Sequence, residues 1–191
     1  MIIVCNGFVD KRPIVYPLIK LLNTFGDVAV ISQNKQLQRL IEDRTTSGYY
    51  NNTFILVSES TADEVFSEIE YKEDDFDHII YDMYDAFPGN YDVFIHCRSY
   101  GVSEAEQEII EYISGAVQCN FVYDGRKEMG CINIPVTMPL LKSVEEFEAE
   151  KLMIPIQSSV ITKTLSKLLA PKLNISEKNA VRILKRGWNE I

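Results

Sequence analysis

The sequence has no C-x-x-C pair, only two histidines, and no apolar run near the roughly 18 residues a membrane span needs. Each absence removes a class of function. Cys5, Cys97, Cys119 and Cys131 stand far apart, and neither His78 nor His96 has a ligand partner at zinc spacing, so no metal site is expected. Three of the cysteines lie inside apolar runs, where a thiol packs as a small hydrophobe. Reduced, buried cysteines and a cytoplasmic setting are therefore expected. No basic stretch leads into a long apolar core near the N-terminus, so no signal peptide is expected. G-x-S-x-G is absent, as is any local Cys–His–Asp grouping. His96 and Cys97 are adjacent, but neighbours on a strand point to opposite faces and cannot act as a pair.

What is present suits one globular domain with a small appendage. The chain has 191 residues, 46% of them hydrophobic and 25% charged. Its net charge of −9 is unevenly spread: residues 151–191 carry eight basic and two acidic residues, and residues 1–150 carry 11 basic and 26 acidic. An acidic body with a basic tail should repel nucleic acid and anionic membrane over most of its surface, while the tail can approach either.

Strand and helix patterns alternate along the chain. The apolar runs "MIIVC", "DVAVIS", "FILVS", "HIIYD", "YDVFIHC", "CNFVYD" and "CINIPVT" predict strands. Helices are predicted through "IVYPLIKLLNTF", with Pro13 at its first position and Gly26 at its end, and through "NKQLQRLIED". Further helices are predicted from Thr61 to about Glu70, in "EAEQEIIEYI" behind a Ser103–Glu106 capping box, and in "SVEEFEAE". Two C-terminal helices follow, "SSVITKTLSKLLAPKL" and "SEKNAVRILKRGW", while "RTTSGYYNNT" is expected to be loop and "YKEDDFD" a charged connector. This order predicts an α/β fold of three layers, a mostly parallel central sheet with helices on both faces, plus C-terminal helices. A site is then expected beyond the carboxyl ends of the strands, where the loops after Cys5, Asp82 and Cys97 fall.

The first of these loops, "NGFVDKRP", joins an apolar strand to a helix, as a phosphate-binding loop would. Later "DHIIYDMYDAFPG", "YDVFIHC" and "INIPVTMPLLKSVEEF" follow in order. In this layout, over about residues 1–170, the chain resembles the MinD/ParA family of deviant P-loop ATPases, whose loop reads K-G-G-x-G-K-T-T and whose later strand ends in a magnesium-orienting Asp. The resemblance implies a P-loop-NTPase-like domain over residues 1–155 and a helical segment over 156–191, packed on it or extending from it. It places a vestigial nucleotide site at Gly7, Asp10, Lys11, Arg12 and Asp82. Gly7 and Lys11 keep the family's residue types. Phe8 and Asp10 replace glycines, Arg12 and Pro13 replace the two threonines, and Cys5 or Asn6 stands where the family has its first lysine.

Each replacement has a physical cost for phosphate binding. A side chain at a left-handed position costs roughly 1–2 kcal/mol. The Asp10 carboxylate would oppose a phosphate by about 4 kcal/mol at ~4 Å and an effective dielectric near 20. Arg12 cannot ligate magnesium as a hydroxyl does, and Pro13 removes an N–H. A micromolar site needs only about 8 kcal/mol in total, so these losses leave little. No cofactor and no ATP hydrolysis are expected.

The resulting expectation is a non-catalytic scaffold, positioning or regulatory subunit of a bacterial assembly for pili, conjugation, secretion or partition. Pilus-localisation proteins of the TadZ/CpaE kind are similar in layout, and the family implies a homodimer. Two alternatives stay open. One is a nucleotide- or phosphate-handling enzyme that uses Lys11, Arg12 and Asp82, with Arg98 as a further basic candidate. The other is a partition accessory that binds DNA through the tail, although nucleic acid is not the expected partner. On the last predicted helix Val181, Leu184, Trp188 and Ile191 share a face, with Lys178, Arg182, Lys185 and Arg186 around it. That face can pack on the body, meet a protein partner, or rest on the inner face of a membrane.

Overall fold

The computed structural model describes residues 1–60, 64–67, 69–85, 88–99, 113, 115–150 and 158–186. Eight strands form one sheet: β1 (Ile2–Asn6), β2 (Val28–Ser32), β3 (Ser47–Tyr50), β4 (Thr53–Val57), β5 (His78–Met83), β6 (Val93–Ser99), β7 (Val117–Val122) and β8 (Ile132–Pro135). Their order is β3-β4-β2-β5-β1-β6-β7-β8. Every pair is parallel except β3–β4. The seven predicted strands all form. β2 and β4 are buried along their whole length, as β-branched runs are when both faces of a parallel sheet are covered. Each face carries its own hydrophobic cluster, one containing Ile3, Val30 and Ile80, the other Val4, Ile31 and Tyr81. The architecture is a three-layer, Rossmann-like α/β fold.

The described α-helices are α1 (Arg12–Leu22), α2 (Met138–Glu150), α3 (Ser159–Leu169) and α4 (Glu177–Lys185). α1 is the central one. Every residue from Pro13 to Leu22 is buried, because the sheet covers one side of the helix and α2, α3 and α4 cover the other. Ser158 and Ser176 cap α3 and α4, their hydroxyls accepting from the N–H groups of Ile161 and Asn179.

The local structure departs from expectation in several places. "RTTSGYYNNT" is not loop throughout: it holds the edge strand β3 and a two-residue hairpin turn at Asn51-Asn52, with Asn51 at φ 49°. Gly48 stands where an added Cβ would lie 2.6 Å from a methyl of Ile41, so the strand needs glycine for packing and loses the β-branched signature. "NKQLQRLIED" forms a 3-10 helix over Lys35–Leu40 rather than an α-helix, opened by Asn34, whose side chain accepts from Gln36 N–H. In the predicted helix from Thr61 to Glu70, the described residues show a single 3-10 turn at Val65–Ser67. "SVEEFEAE" is the later part of a helix that starts at Met138. The Ser103–Glu106 capping box and its helix lie outside the described residues.

The C-terminal segment is tied to the body. Leu184 and Ala180 of α4 are fully buried in the same cluster as α1. Lys20 of α1 is buried as well, and its ammonium donates to the carbonyls of Leu184 (3.3 Å) and Arg186. Those are carbonyls at the end of a helix, where no intrahelical N–H reaches them and the helix dipole favours a cation. Val181 is half-buried, Arg182 and Lys185 are exposed, and Trp188 and Ile191 lie outside the described residues. Among the described residues, no helix is long and apolar enough to cross a membrane.

All four cysteines are free thiols; Cys5, Cys97 and Cys119 are buried and Cys131 is half-buried. Burial pushes the Cys119 thiol up to about 12, and raises those of Cys5 and Cys97 as well. In the native protein a disulfide-exchange reagent should therefore label Cys131 first, with the other three reacting only on unfolding. Leu184→Ala should cost about 2–5 kcal/mol in urea denaturation, as a core truncation does. A leucine held out for a membrane would cost less than about 0.5 kcal/mol.

Candidate functional site

Strand β1 lies at the centre of the sheet, with β5 on one side and β6 on the other. The connection from β1 runs to one side, to β2, and the connection from β5 runs past β1 to the other side, to β6, which opens a crevice beyond the carboxyl ends of these central strands. Strand register decides what faces that crevice. Ser32 pairs with Asp82, and Asp82 with Cys5, in one row across β2, β5 and β1. These three point to the α1 side of the sheet. One step on, Asn6 pairs with His96 and faces the other side.

Lys11 fills the crevice from above. It is 1% exposed. Its ammonium lies 3.1 Å from Asp82 Oδ1 and donates to the carbonyl of Gly7 at 2.6 Å. The second Asp82 oxygen accepts from the Ser32 hydroxyl at 2.6 Å. The Tyr84 ring covers the ammonium at 4.8 Å, and Phe8 stacks beside Tyr84 with ring centres 6.0 Å apart. Lys11 and Asp82, both singled out in the sequence, are thus brought together as an ion pair.

The loop backbone is used in the same way. Gly7 takes φ +121°, and a Cβ there would collide with the Cys97 carbonyl. The Gly7 N–H donates to the carbonyls of Met83 and Tyr84, both at 3.2 Å, so it is turned toward β5 rather than outward. Asn6 Nδ2 also donates to Tyr84 O, at 3.0 Å. At the start of α1, Arg12 N–H donates to Asp10 Oδ1 (3.2 Å), Pro13 has no N–H, and Ile14 N–H donates to Lys11 O (2.8 Å). The N–H groups of Gly7, Arg12 and Ile14 are thus occupied, and Pro13 offers none to an anion. The expected steric cost at Phe8 and Asp10 does not arise. The described non-glycine residues with positive φ are Arg44, Asn51 and Asn174.

Arg12 and Asp10 belong to a second network on the outer side of α1. Arg12 pairs with Asp10 (2.6 Å) and with Glu148 of α2 (2.5 Å). Glu148 also accepts from Tyr16 Oη at 2.7 Å and pairs with Arg39 at 2.9 Å. Burial, and then the Glu148 charge, drive the Tyr16 phenol far above its ordinary range, so it serves as a permanent donor. Arg98 does not join Lys11: it pairs with Glu128 at 2.5 Å and donates to Cys131 Sγ at 3.0 Å. His96 Nδ1 lies 3.0 Å from Asn6 Oδ1, buried on the far face of the sheet.

No family model, curated protein or solved structure matches this chain. Its chemistry must be taken from its own side chains. Among the described residues no group of three or more His, Cys, Asp or Glu side chains is placed to hold a metal ion. Beside the crevice runs a groove of about 460 Å³ that includes Gln33, Asn34, Lys35 and Tyr84. The arrangement holds the loop closed.

The resemblance pointed to Gly7, Asp10, Lys11, Arg12 and Asp82, and missed Ser32, Tyr84 and Glu148. Ser32 was accessible in principle, since it ends β2 much as Asp82 comes near the end of β5. Glu148 carried no signal, lying 136 residues from Arg12. Asp82→Asn should leave the Lys11 ammonium buried without its counter-charge and cost about 3–5 kcal/mol in urea denaturation. Adding Lys11→Met to that variant should restore most of the loss. A cost for Asp82→Asn below ~1 kcal/mol would mean that the pair does not hold the loop.

Proposed function

We propose that this protein is a non-catalytic relative of the MinD/ParA ATPases, a scaffold, positioning or regulatory subunit of a larger bacterial assembly. One observation carries the proposal. The lysine and aspartate that would serve a nucleotide and its magnesium are locked onto each other and onto the loop's own carbonyl. Triphosphate would have to break a buried ion pair, displace Asp10 from the helix start and open the Phe8–Tyr84 stack. An enzyme built on Lys11, Arg12 and Asp82 would face the same obstacles.

Assembly rather than turnover is also favoured by what stands at this edge. Phe8, Tyr123 and Met138 follow β1, β7 and β8, and are 54%, 57% and 66% exposed. Tyr123 lies close enough to Asp10 for that carboxylate to help raise its phenol, after burial. Large apolar side chains around a charged centre suit a protein partner or a second copy of the chain. The exposed Arg182 and Lys185 offer a further contact, whereas Leu184 is committed to the core.

Titration calorimetry with ATP and magnesium tests the proposal. No binding is expected up to about 1 mM, and a Kd tighter than about 10 μM would overturn it.

A further inference from the structure

The edge of the sheet opposite the crevice carries a pocket of about 590 Å³. Three aromatic side chains, Tyr49, Tyr71 and Phe76, line it together with Asn51, Asn52 and three carboxylates. Tyr71 packs against Phe54 and Phe76 with ring centres 4.9 and 5.7 Å away, and Tyr49 stands edge-on to Tyr71 at 6.3 Å. Phe54 is buried behind them and fixes the group to the sheet. The rim is acidic, with Asp27, Glu70 and Asp75 lining the pocket and no lysine or arginine among the described lining residues. None of the ion pairs among the described residues involves these three carboxylates. The acidic connector of the sequence is thus one wall of a shaped cavity. Aromatic faces carry negative charge, and rings set at angles to one another, with carboxylates at their edge, attract a diffuse cation more than a compact one.

We propose that this pocket is a site for an organic cation, a quaternary ammonium or guanidinium group, seated against Tyr49, Tyr71 and Phe76 with Asp27, Glu70 and Asp75 around it. The Tyr49 phenol senses the same field. It is pushed up to about 12, first by its hydrogen bond with Tyr71, then by burial and by neighbours that include Asp27 and Asp75. The site lies away from Lys11 and is independent of the function proposed above.

Titration of the full chain with choline, its uncharged isostere 3,3-dimethylbutan-1-ol, N-acetylarginine amide and magnesium chloride tests this. Choline or the arginine amide should bind with a Kd near or below about 1 mM, and the isostere at least roughly tenfold more weakly. Preference for the arginine amide assigns the site to a side chain of a partner; preference for choline assigns it to a free small cation. Tyr49→Ser should weaken binding about threefold, and Asp27→Asn with Asp75→Asn about fivefold, each with an unchanged unfolding midpoint to within ~0.5 kcal/mol. Equal binding of the isostere, no binding of either cation at 10-fold higher concentration (about 10 mM), or displacement by equimolar magnesium would overturn the proposal. So would an unchanged Kd in the Tyr49→Ser variant.

Discussion

The Lys11–Asp82 ion pair is the constraint around which the central edge of this protein is arranged. Two opposite charges with almost no solvent contact are tolerable only if their remaining hydrogen-bonding capacity is met. Most of it is met, by Ser32 from β2, by the Gly7 carbonyl after β1 and by the face of Tyr84 after β5, while Asp82 Oδ1 faces the Lys11 charge alone. One pair therefore fixes the ends of three strands and the start of α1. The same demand explains Gly7, since the loop can turn back over the lysine only with a backbone that lies against Cys97.

On the other side of α1 the logic repeats with different residues. Lys20 is buried to satisfy the last carbonyls of α4, and Glu148 is buried to receive Arg12, Tyr16 and Arg39. Charges on α1 and its neighbours thus act as connectors inside the fold rather than as surface decoration. The C-terminal helices are held by apolar contact through Leu165, Leu169 and Leu184 and by these polar ties together.

The layered architecture was legible in the sequence because it rests on short-range signals. Strands β1, β2 and β4 to β8 announce themselves as β-branched or apolar runs, and Pro13 marks the start of α1. β3 was not legible because Gly48 and the polar edge of "SGYY" hide the pattern, although Asn51-Asn52 is a hairpin turn in its own right. Within the site, Gly7, Lys11 and Asp82 were singled out by the resemblance of their loop and strand to a family layout. It could not indicate that lysine and aspartate meet, because that depends on how a side chain folds back over its own loop. Ser32 and Glu148 enter only through tertiary pairing, 50 residues from Asp82 and 136 from Arg12 respectively.

The Arg12–Glu148 bond has a consequence for how the chain is made. A ribosome delivers the first strand and α1 long before α2, and contacts of such sequence separation form late. Until residue 148 has emerged, Arg12 has only Asp10 to hold it, and the outer face of α1 is bare. Nascent chains shorter than that should display a sticky helix and an unanchored opening turn, the state in which a chaperone would find this protein.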